Sequence, residues 1–294
     1  MMFDQIKPQK AKTFGKDKIK DLTGEFASSI KYDGHQIFIM KVGHTVAFFT
    51  SNWKQFDISI TRKALETLDG DFMLVGEYMC GLEGKLGARA HSTKITTFRT
   101  NFNNGIYNSI ADEYLTNIRV FDCVPMTTAG HLRIDTPFYA RIAYLQDLAV
   151  SFPNCIKAVD FTIENFDTIL RKASKLTKDG WEGMMAIKTD SPYMVGKRVH
   201  HAIKIKPRLT ADLLCIDVRP GTGKYVGLIG SLECRDSSNR IVNVGSGLSD
   251  EQRAKTKADY IGKVVEVEYE KIEDTYIQPV FKTIRNDKTK EEID

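Results

Sequence analysis

The chain has 294 residues, 42% hydrophobic and 27% charged, with a formal net charge of +4; these are globular proportions that exclude disordered and fibrous classes. No apolar run is long enough to span a membrane, and Met1-Met2-Phe3-Asp4-Gln5-Ile6-Lys7-Pro8 lacks the apolar core of a signal peptide. Five cysteines, at 80, 123, 155, 215 and 234 with no C-x-x-C pair, exclude a disulfide framework and a Cys-rich zinc site and point to a reducing cytoplasm.

Six lysines fall within the first 20 residues, and such a run reads first as a solvated terminus, with phosphate contact as the second reading. Gln36–Lys41 and Thr45–Thr50 are β-branched and aromatic and flank Val42-Gly43-His44, the pattern of paired strands. Arg62–Leu68 suits a short helix, Phe72–Tyr78 and Arg119–Val124 suit strands, and Arg141–Ala149 and Asn165–Leu176 carry apolar residues at helical spacing. Asp179-Gly180 is a turn signal leading into a strand at Met184–Lys188.

The character changes after Lys206-Pro207-Arg208. Residues 208–294 hold 14 Lys+Arg against 16 Asp+Glu, whereas residues 1–207 hold 28 against 22. Asp212–Val218, Gly227–Arg235, Arg240–Val244, Val264–Glu270 and Pro279–Arg285 read as five short strands. Ser249–Tyr260 reads as a helix between the third and fourth, opened by a capping box of Ser249 with Gln252. Five strands with one late helix suit a small barrel of the OB type.

The sharpest local feature is Lys31-Tyr32-Asp33-Gly34, between a weakly structured stretch and a strand. A lysine there can attack phosphorus only as free base, roughly one molecule in a thousand at pH 7.5 for an ordinary lysine, so neighbouring cations, a metal or a dry pocket must raise that fraction. Gly34 lets the backbone come close to a ligand. Alone the motif is weak, and its ordinary reading is a surface turn. Gly76-Glu77, Phe121-Asp122 and Glu182-Gly183 follow, then Lys204-Ile205-Lys206, whose lysines share one face of a strand. Singly, the glutamates read as surface residues, Phe121 as core, the lysines as an edge-strand face, and Trp53 and Trp181 as packing. His200-His201 has no partner at metal-ligand spacing, and Gly221-Thr222-Gly223-Lys224 lacks Walker spacing. Together the residues supply a nucleophile, carboxylates for metal or ribose, an aromatic for stacking and paired lysines for phosphates, the kit for nucleotide transfer.

In order and spacing these motifs resemble the covalent nucleotidyltransferases, and within them the small ATP-dependent DNA ligases of viral and phage type. Gly221–Leu232, with its Lys-Tyr-x-Gly and Gly-Ser-Leu, resembles the OB domain of these ligases, and Pro279–Lys288 resembles their final motif. The resemblance implies an α+β fold: a nucleotidyltransferase domain of antiparallel sheets with flanking helices over residues 1–207, then an OB-fold β-barrel over 208–294. It implies that Lys31 attacks the α-phosphorus of ATP and holds AMP, with Asp33 in the nucleotide pocket, Glu77 at the ribose or a metal, and Phe121 on the adenine. Glu182 would hold Mg²⁺ (Mn²⁺ substituting), Lys204 and Lys206 the α-phosphate, and Arg285 and Lys288 the leaving pyrophosphate. The partner implied is nicked duplex DNA. The family's arginine after the first motif is His35 here, and its Ser-Arg is replaced in Thr50-Ser51-Asn52-Trp53-Lys54, so His35, Lys54, Arg198 and Lys224 are the candidate DNA contacts, helped by the basic arm or the Arg89–Arg99 region. Only 30 residues before Lys31 imply no large N-terminal DNA-binding domain, and the missing four-cysteine zinc site favours ATP over NAD⁺. A cytoplasmic monomer is expected. The rival readings are an RNA ligase or GTP-using capping enzyme on the same domains, and a binding-only OB module.

Overall fold

The computed structural model describes residues 6–80, 94–106, 116–127, 129–272 and 274–294. The chain divides into two compact units, Met1–Lys206 and Pro207–Asp294.

In chain order, the first unit contains β1 (Lys10–Thr13), β2 (Phe26–Ile30), β3 (His35–Val42), β4 (Thr45–Thr50), β5 (Gln55–Phe56), α1 (Ser59–Glu66), β6 (Phe72–Cys80), α2 (Lys94–Asn103), β7 (Thr116–Pro125), α3 (Phe138–Ala149), β8 (Ile156–Ala158), β9 (Thr162–Glu164), α4 (Phe166–Lys178), β10 (Met184–Lys188) and β11 (Arg198–Ile205). One sheet runs β1-β11-β10-β2-β9 and the other β5-β4-β3-β6-β7-β8. The pairings are antiparallel except at two edges, where β1 runs parallel to β11 and β8 parallel to β7.

The Ile-Phe-Ile-Met run of β3 is apolar at every position because both faces are covered. Ile37 and Ile39 pack with Leu74, Val120 and Leu145, while Phe38 and Met40 pack with Phe49, Val75 and Val124. Helix α3 joins the two sheets. Its Phe138 and Ile142 pack with Ala27, Ile187 and Ala202 of the first sheet, and its Leu145 and Leu148 with Ile37, Phe72 and Ile156 of the second. Helix α4 covers the other face of the first sheet through Phe166, Ile169 and Ala173. Asn165 caps it by accepting the Thr168 N–H at 2.9 Å.

Several expectations need correction. The basic N-terminal run is not simply a solvated arm: Lys10–Thr13 adds an edge strand, with Lys10 N–H donating to Lys197 O at 2.8 Å and Phe14 N–H to Lys204 O at 2.9 Å. The segment before Lys31 is a buried strand, β2, rather than weakly structured. Helix α1 begins at Ser59, not Arg62, anchored by buried Ile58 and Leu65. In the Arg89–Arg99 region, Arg89 lies outside the described residues and Lys94–Arg99 belongs to a helix.

The second unit contains β12 (Leu209–Pro220), β13 (Ile229–Arg235), β14 (Ile241–Val244), α5 (Asp250–Arg253), β15 (Val264–Tyr269), β16 (Lys271–Ile272), β17 (Tyr276–Ile277) and β18 (Val280–Ile284). Its main sheet is ordered β14-β13-β12-β15-β18, and the two edges meet at a Ser246–Val280 bridge, where Phe281 N–H donates to Ser246 O at 2.8 Å. The expected Ser249–Tyr260 helix is instead two short turns. Ser249 and Gln252 form the capping box of α5, but Thr256 starts a second box, its N–H and hydroxyl both donating to Asp259 Oδ2 at 2.8 Å. That second cap interrupts the helix. Arg253 then donates to Ile229 O, Gly230 O and Gly245 O at 2.9, 2.6 and 2.5 Å, with its guanidinium 4.1 Å from the Tyr225 ring, which ties the Gly-rich stretch to the sheet.

One ion pair sits inside the first unit. Arg141 of α3 is fully buried, and its Nε and Nη2 donate to the Asp122 carboxylate at 2.7 and 3.1 Å. Its Nη1 donates to Thr136 O at 2.5 Å and Ser191 O at 3.1 Å. Asp122→Ala would leave this guanidinium charged and half-satisfied in the core, and should cost about 3–5 kcal/mol in urea unfolding. Both tryptophans, Trp53 and Trp181, lie in this unit, so their fluorescence reports it alone. A loss under about 1 kcal/mol, the scale of an exposed pair, would contradict this role.

Candidate active site

The two sheets of the first unit frame a cavity of about 320 Å³. Lys31, Asp33, Glu77, Phe121, Glu182, Arg198, Lys204 and Lys206, which come from five separate stretches of chain, all line it.

Lys31 stands just past β2, and its N–H donates to Gly183 O at 2.9 Å, so the first motif is tied directly to Glu182-Gly183. The Glu182 carboxylate is shared: one oxygen pairs with Lys31 Nζ and the other with Lys206 Nζ. Burial pushes the Glu182 carboxyl up, but the two lysines outweigh it and hold the group below the usual carboxylate range. Lys204 reaches the same cavity from β11. Burial, then the charges of Lys31, Lys206 and Arg198, lower its ammonium below the ordinary lysine value against the pull of Glu182. Gly183 has φ +137, and a Cβ there would run into Ile205 O. The Glu-Gly pair therefore needs its glycine so that β11 can bring both lysines alongside.

The opposite wall comes from the second sheet. Gly34 N–H donates to Glu77 Oε1 at 3.1 Å. A Cβ on Gly34 would meet Tyr78 O at 2.5 Å and Glu77 Cγ at 2.9 Å. One close approach that requires this glycine is thus to β6, and Gly34 also lines the cavity. Glu77 lies within β6. Phe121 sits at a bulge of β7, where Val75 pairs with Asp122 and Gly76 with Val120, leaving Phe121 as the extra residue. A bulge re-aims a side chain, and here it accompanies one that lines the cavity. Beneath it, Asp122 is held by Arg141, so the Phe-Asp motif combines a cavity wall with the buried ion pair. Tyr32 packs edge-on against Trp181 with centroids 5.9 Å apart, and burial raises its phenol against the opposing charge of Arg119.

The other expected residues are placed elsewhere. His35 begins β3 opposite Tyr78 and Lys54 lies on an exposed turn after β4; neither lines the cavity. Arg198 does, and it donates to Ala11 O at 3.0 Å and lies 3.7 Å from Asp17. In the second unit, Arg285 Nη1 pairs with Asp212 at 3.1 Å and Lys288 Nζ pairs with the same carboxylate at 2.5 Å, while Arg285 also holds Asp287. Lys224 lies over the Tyr225 ring at 4.7 Å. Sequence reasoning missed Gln9, Ser29 and Tyr193, which line the cavity. Gln9 carries no local signal, because its segment reads as a charged arm until β1 docks on β11.

Among the described residues no group of three or more His, Cys, Asp or Glu forms a metal cage. Glu182 and Glu77 at one cavity suit Mg²⁺, which takes one or two carboxylates and completes its shell with substrate phosphates and water. No helix among the described residues is long and apolar enough to cross a membrane.

Comparison with known proteins places this arrangement. Residues 8–206 match the family model described as ATP dependent DNA ligase domain, and residues 220–285 that described as DNA ligase OB-like domain. The DNA ligase of Thermococcus fumicolans is 28% identical over 257 residues, 81% of this chain and 44% of the relative; that of Methanosphaerula palustris is 30% identical over 240 residues, 78% and 41%. The chain thus spans less than half the length of these curated relatives. Among solved structures, a Lig E DNA ligase is similar at 19% identity and a TM-score of 0.60, covering 95% of this chain and 98% of that one. The ATP-dependent DNA ligase from bacteriophage T7 in complex with ATP is similar at 18% identity and 0.54, with coverage of 95% and 98%. These likenesses support the fold, and the family model spanning residues 8–206 supports the assignment: the chain belongs to the ATP-dependent DNA ligase family.

Proposed function

We propose that this protein seals 5′-phosphate/3′-hydroxyl nicks in duplex DNA, using ATP and a lysine-bound AMP. The observation that carries the reading is the Lys31–Glu182–Lys206 cluster, with Lys204 beside it, at one side of a cavity that Phe121 also lines.

The reaction runs in three displacements. Lys31 Nζ gives up a proton to solvent and bonds to the α-phosphorus of ATP, and pyrophosphate leaves. The 5′-phosphate oxygen at the nick takes the adenylyl group, the N–P bond breaks, and Lys31 is released, its nitrogen taking a proton from solvent. The 3′-hydroxyl then attacks the activated 5′-phosphorus, its proton passing to solvent, and AMP leaves. Lys31 Nζ is engaged by Glu182 and must leave that carboxylate before it can attack phosphorus. Phosphate oxygens entering the cluster offer Lys204 and Lys206 a second anion, which loosens the hold of Glu182. When bound, Mg²⁺ on Glu182, with Glu77 as a second ligand, would neutralise phosphate charge. Glu77 otherwise faces the ribose, Asp33 lies in the nucleotide pocket and Phe121 stacks on the adenine. Arg285 and Lys288 belong to the proposal as the pyrophosphate contacts, and His35, Lys54, Arg198 and Lys224 as contacts to DNA phosphates. The working form is a monomer with a nucleotidyltransferase domain at 1–207 and an OB domain at 208–294.

The decisive assay is joining of a duplex with one 5′-phosphorylated nick in the presence of ATP and Mg²⁺, resolved on a denaturing gel. Wild type should give the joined strand and a labelled protein from α-phosphate-labelled ATP. Lys31→Ala should give neither, and Lys31→Arg should fail equally because a guanidinium does not deprotonate. Unchanged sealing by Lys31→Ala would overturn the mechanism. RNA-only joining, or labelling by GTP alone, would move the protein to the rival readings.

A second prediction concerns acid stability. Because the folded Glu182 carboxyl titrates below its unfolded value, its contribution is present above about pH 4.3 and lost as pH falls through the folded value. Glu182→Gln should therefore be less stable than wild type at pH 7, and the gap should narrow towards about pH 3. Urea titrations followed by tryptophan fluorescence test this, and a gap that does not change with pH would contradict it.

A further inference from the structure

The cavity lining holds two kinds of side chain. Lys31, Lys204, Lys206 and Arg198 supply cations for phosphates, and Phe121, Met185, Ile187 and Tyr193 supply the apolar and aromatic surface that suits a purine. Gln9 lines the same cavity and belongs to none of the motifs. Its Oε1 accepts the backbone N–H of Met194 at 2.6 Å. A backbone N–H can only donate, so this bond settles which end of the amide is oxygen. The strand around it is held at both sides: Gly196 N–H donates to Lys7 O at 2.9 Å, and Lys10 N–H to Lys197 O at 2.8 Å. Gln9 N–H also points to the hydroxyl of buried Tyr193, 3.4 Å away. Turning the amide over would set its NH₂ against the Met194 N–H, donor against donor.

The geometry points to Gln9 as the residue that selects a 6-aminopurine over a 6-oxopurine in this cavity. With Oε1 fixed, the side chain offers the ligand a second oxygen lone pair and two Nε2 hydrogens. Adenine presents a donor and an acceptor side by side, N6–H with N7 or N1, which a carboxamide matches with two hydrogen bonds. A 6-oxopurine presents an acceptor where the amino group stood. An amide free to turn would follow the change by exchanging its ends, and a pinned one does not. Burial keeps Tyr193 a neutral hydroxyl beside it, so no charge competes with this pairing. The inference deepens the proposed ATP reading and rests on it for the placement of the base.

The test compares ATP with inosine triphosphate, which carries oxygen at position 6 and a proton on N1, on the full chain. Calorimetry gives the affinity ratio, and lysine labelling is followed separately on gels. Wild type should favour ATP, and Gln9→Ala should cut the ATP:ITP affinity ratio about tenfold or more, the scale of one bidentate amide–base pair, mainly by weakening ATP. Gln9→Glu keeps an oxygen for Met194 N–H but removes the donor. It should weaken ATP binding, because a carboxylate then faces the acceptor N1 or N7, while keeping the thermal midpoint of wild type, which separates base contact from anchoring of the strand. A wild-type ratio near one, or a wild-type ratio retained in both variants, would overturn the inference. Absence of labelled protein, with the binding preference and its dependence on Gln9 intact, would overturn the covalent reading alone.

Discussion

The first unit is organised around one carboxylate serving two lysines. Glu182 holds Lys31 with one oxygen and Lys206 with the other, and Lys204 stands close enough to feel all three charges. Three ammonium groups around one half-dry site would repel one another without it. The backbone enforces the same grouping, since Lys31 N–H bonds to Gly183 O and β10 pairs with both β2 and β11. A single sheet thus gathers Lys31, just past β2, Glu182, just before β10, and Lys204 and Lys206, on and just past β11.

What keeps that sheet facing the second one is helix α3. Its apolar residues reach both sheets, and Arg141 between them clamps Asp122 of β7 and the carbonyls of Thr136 and Ser191. The clamp lies directly under Phe121 and beside Tyr193, so the cavity wall depends on a buried charge pair a few ångströms behind it. The cost of burying such a pair is offset by the number of bonds it makes. The aromatic-acid motif thus lines the cavity with both residues, while the acid is also committed to Arg141.

Much of the site was legible because its residues are chemically conspicuous and lie in short local patterns. Lys31, Glu77, Phe121, Glu182, Lys204 and Lys206 each have an ordinary reading singly, but their order suggested one cavity, which the fold assembles. Gln9 and Tyr193 were not legible. Gln9 joins the cavity only because β1 docks in parallel on β11, a pairing between residues almost 190 positions apart with no local sign. The expected Ser249–Tyr260 helix failed for a local reason instead: Thr256 and Asp259, also present in the sequence, form a second capping box that starts a separate turn.

The sequence by itself determined the kind of elements and the chemistry available: continuous apolar runs become doubly covered strands, and glycines after Asp33 and Glu182 allow chains to touch where a Cβ would not fit. Tertiary structure alone decided how those groups are held. It paired Lys31 with Glu182, committed Asp122 to Arg141, seated Arg285 and Lys288 on Asp212, and fixed the polarity of the Gln9 amide. The reason is physical: side-chain type and spacing set what a residue can donate, accept or bury, but which partner it meets depends on strand pairings across the whole chain.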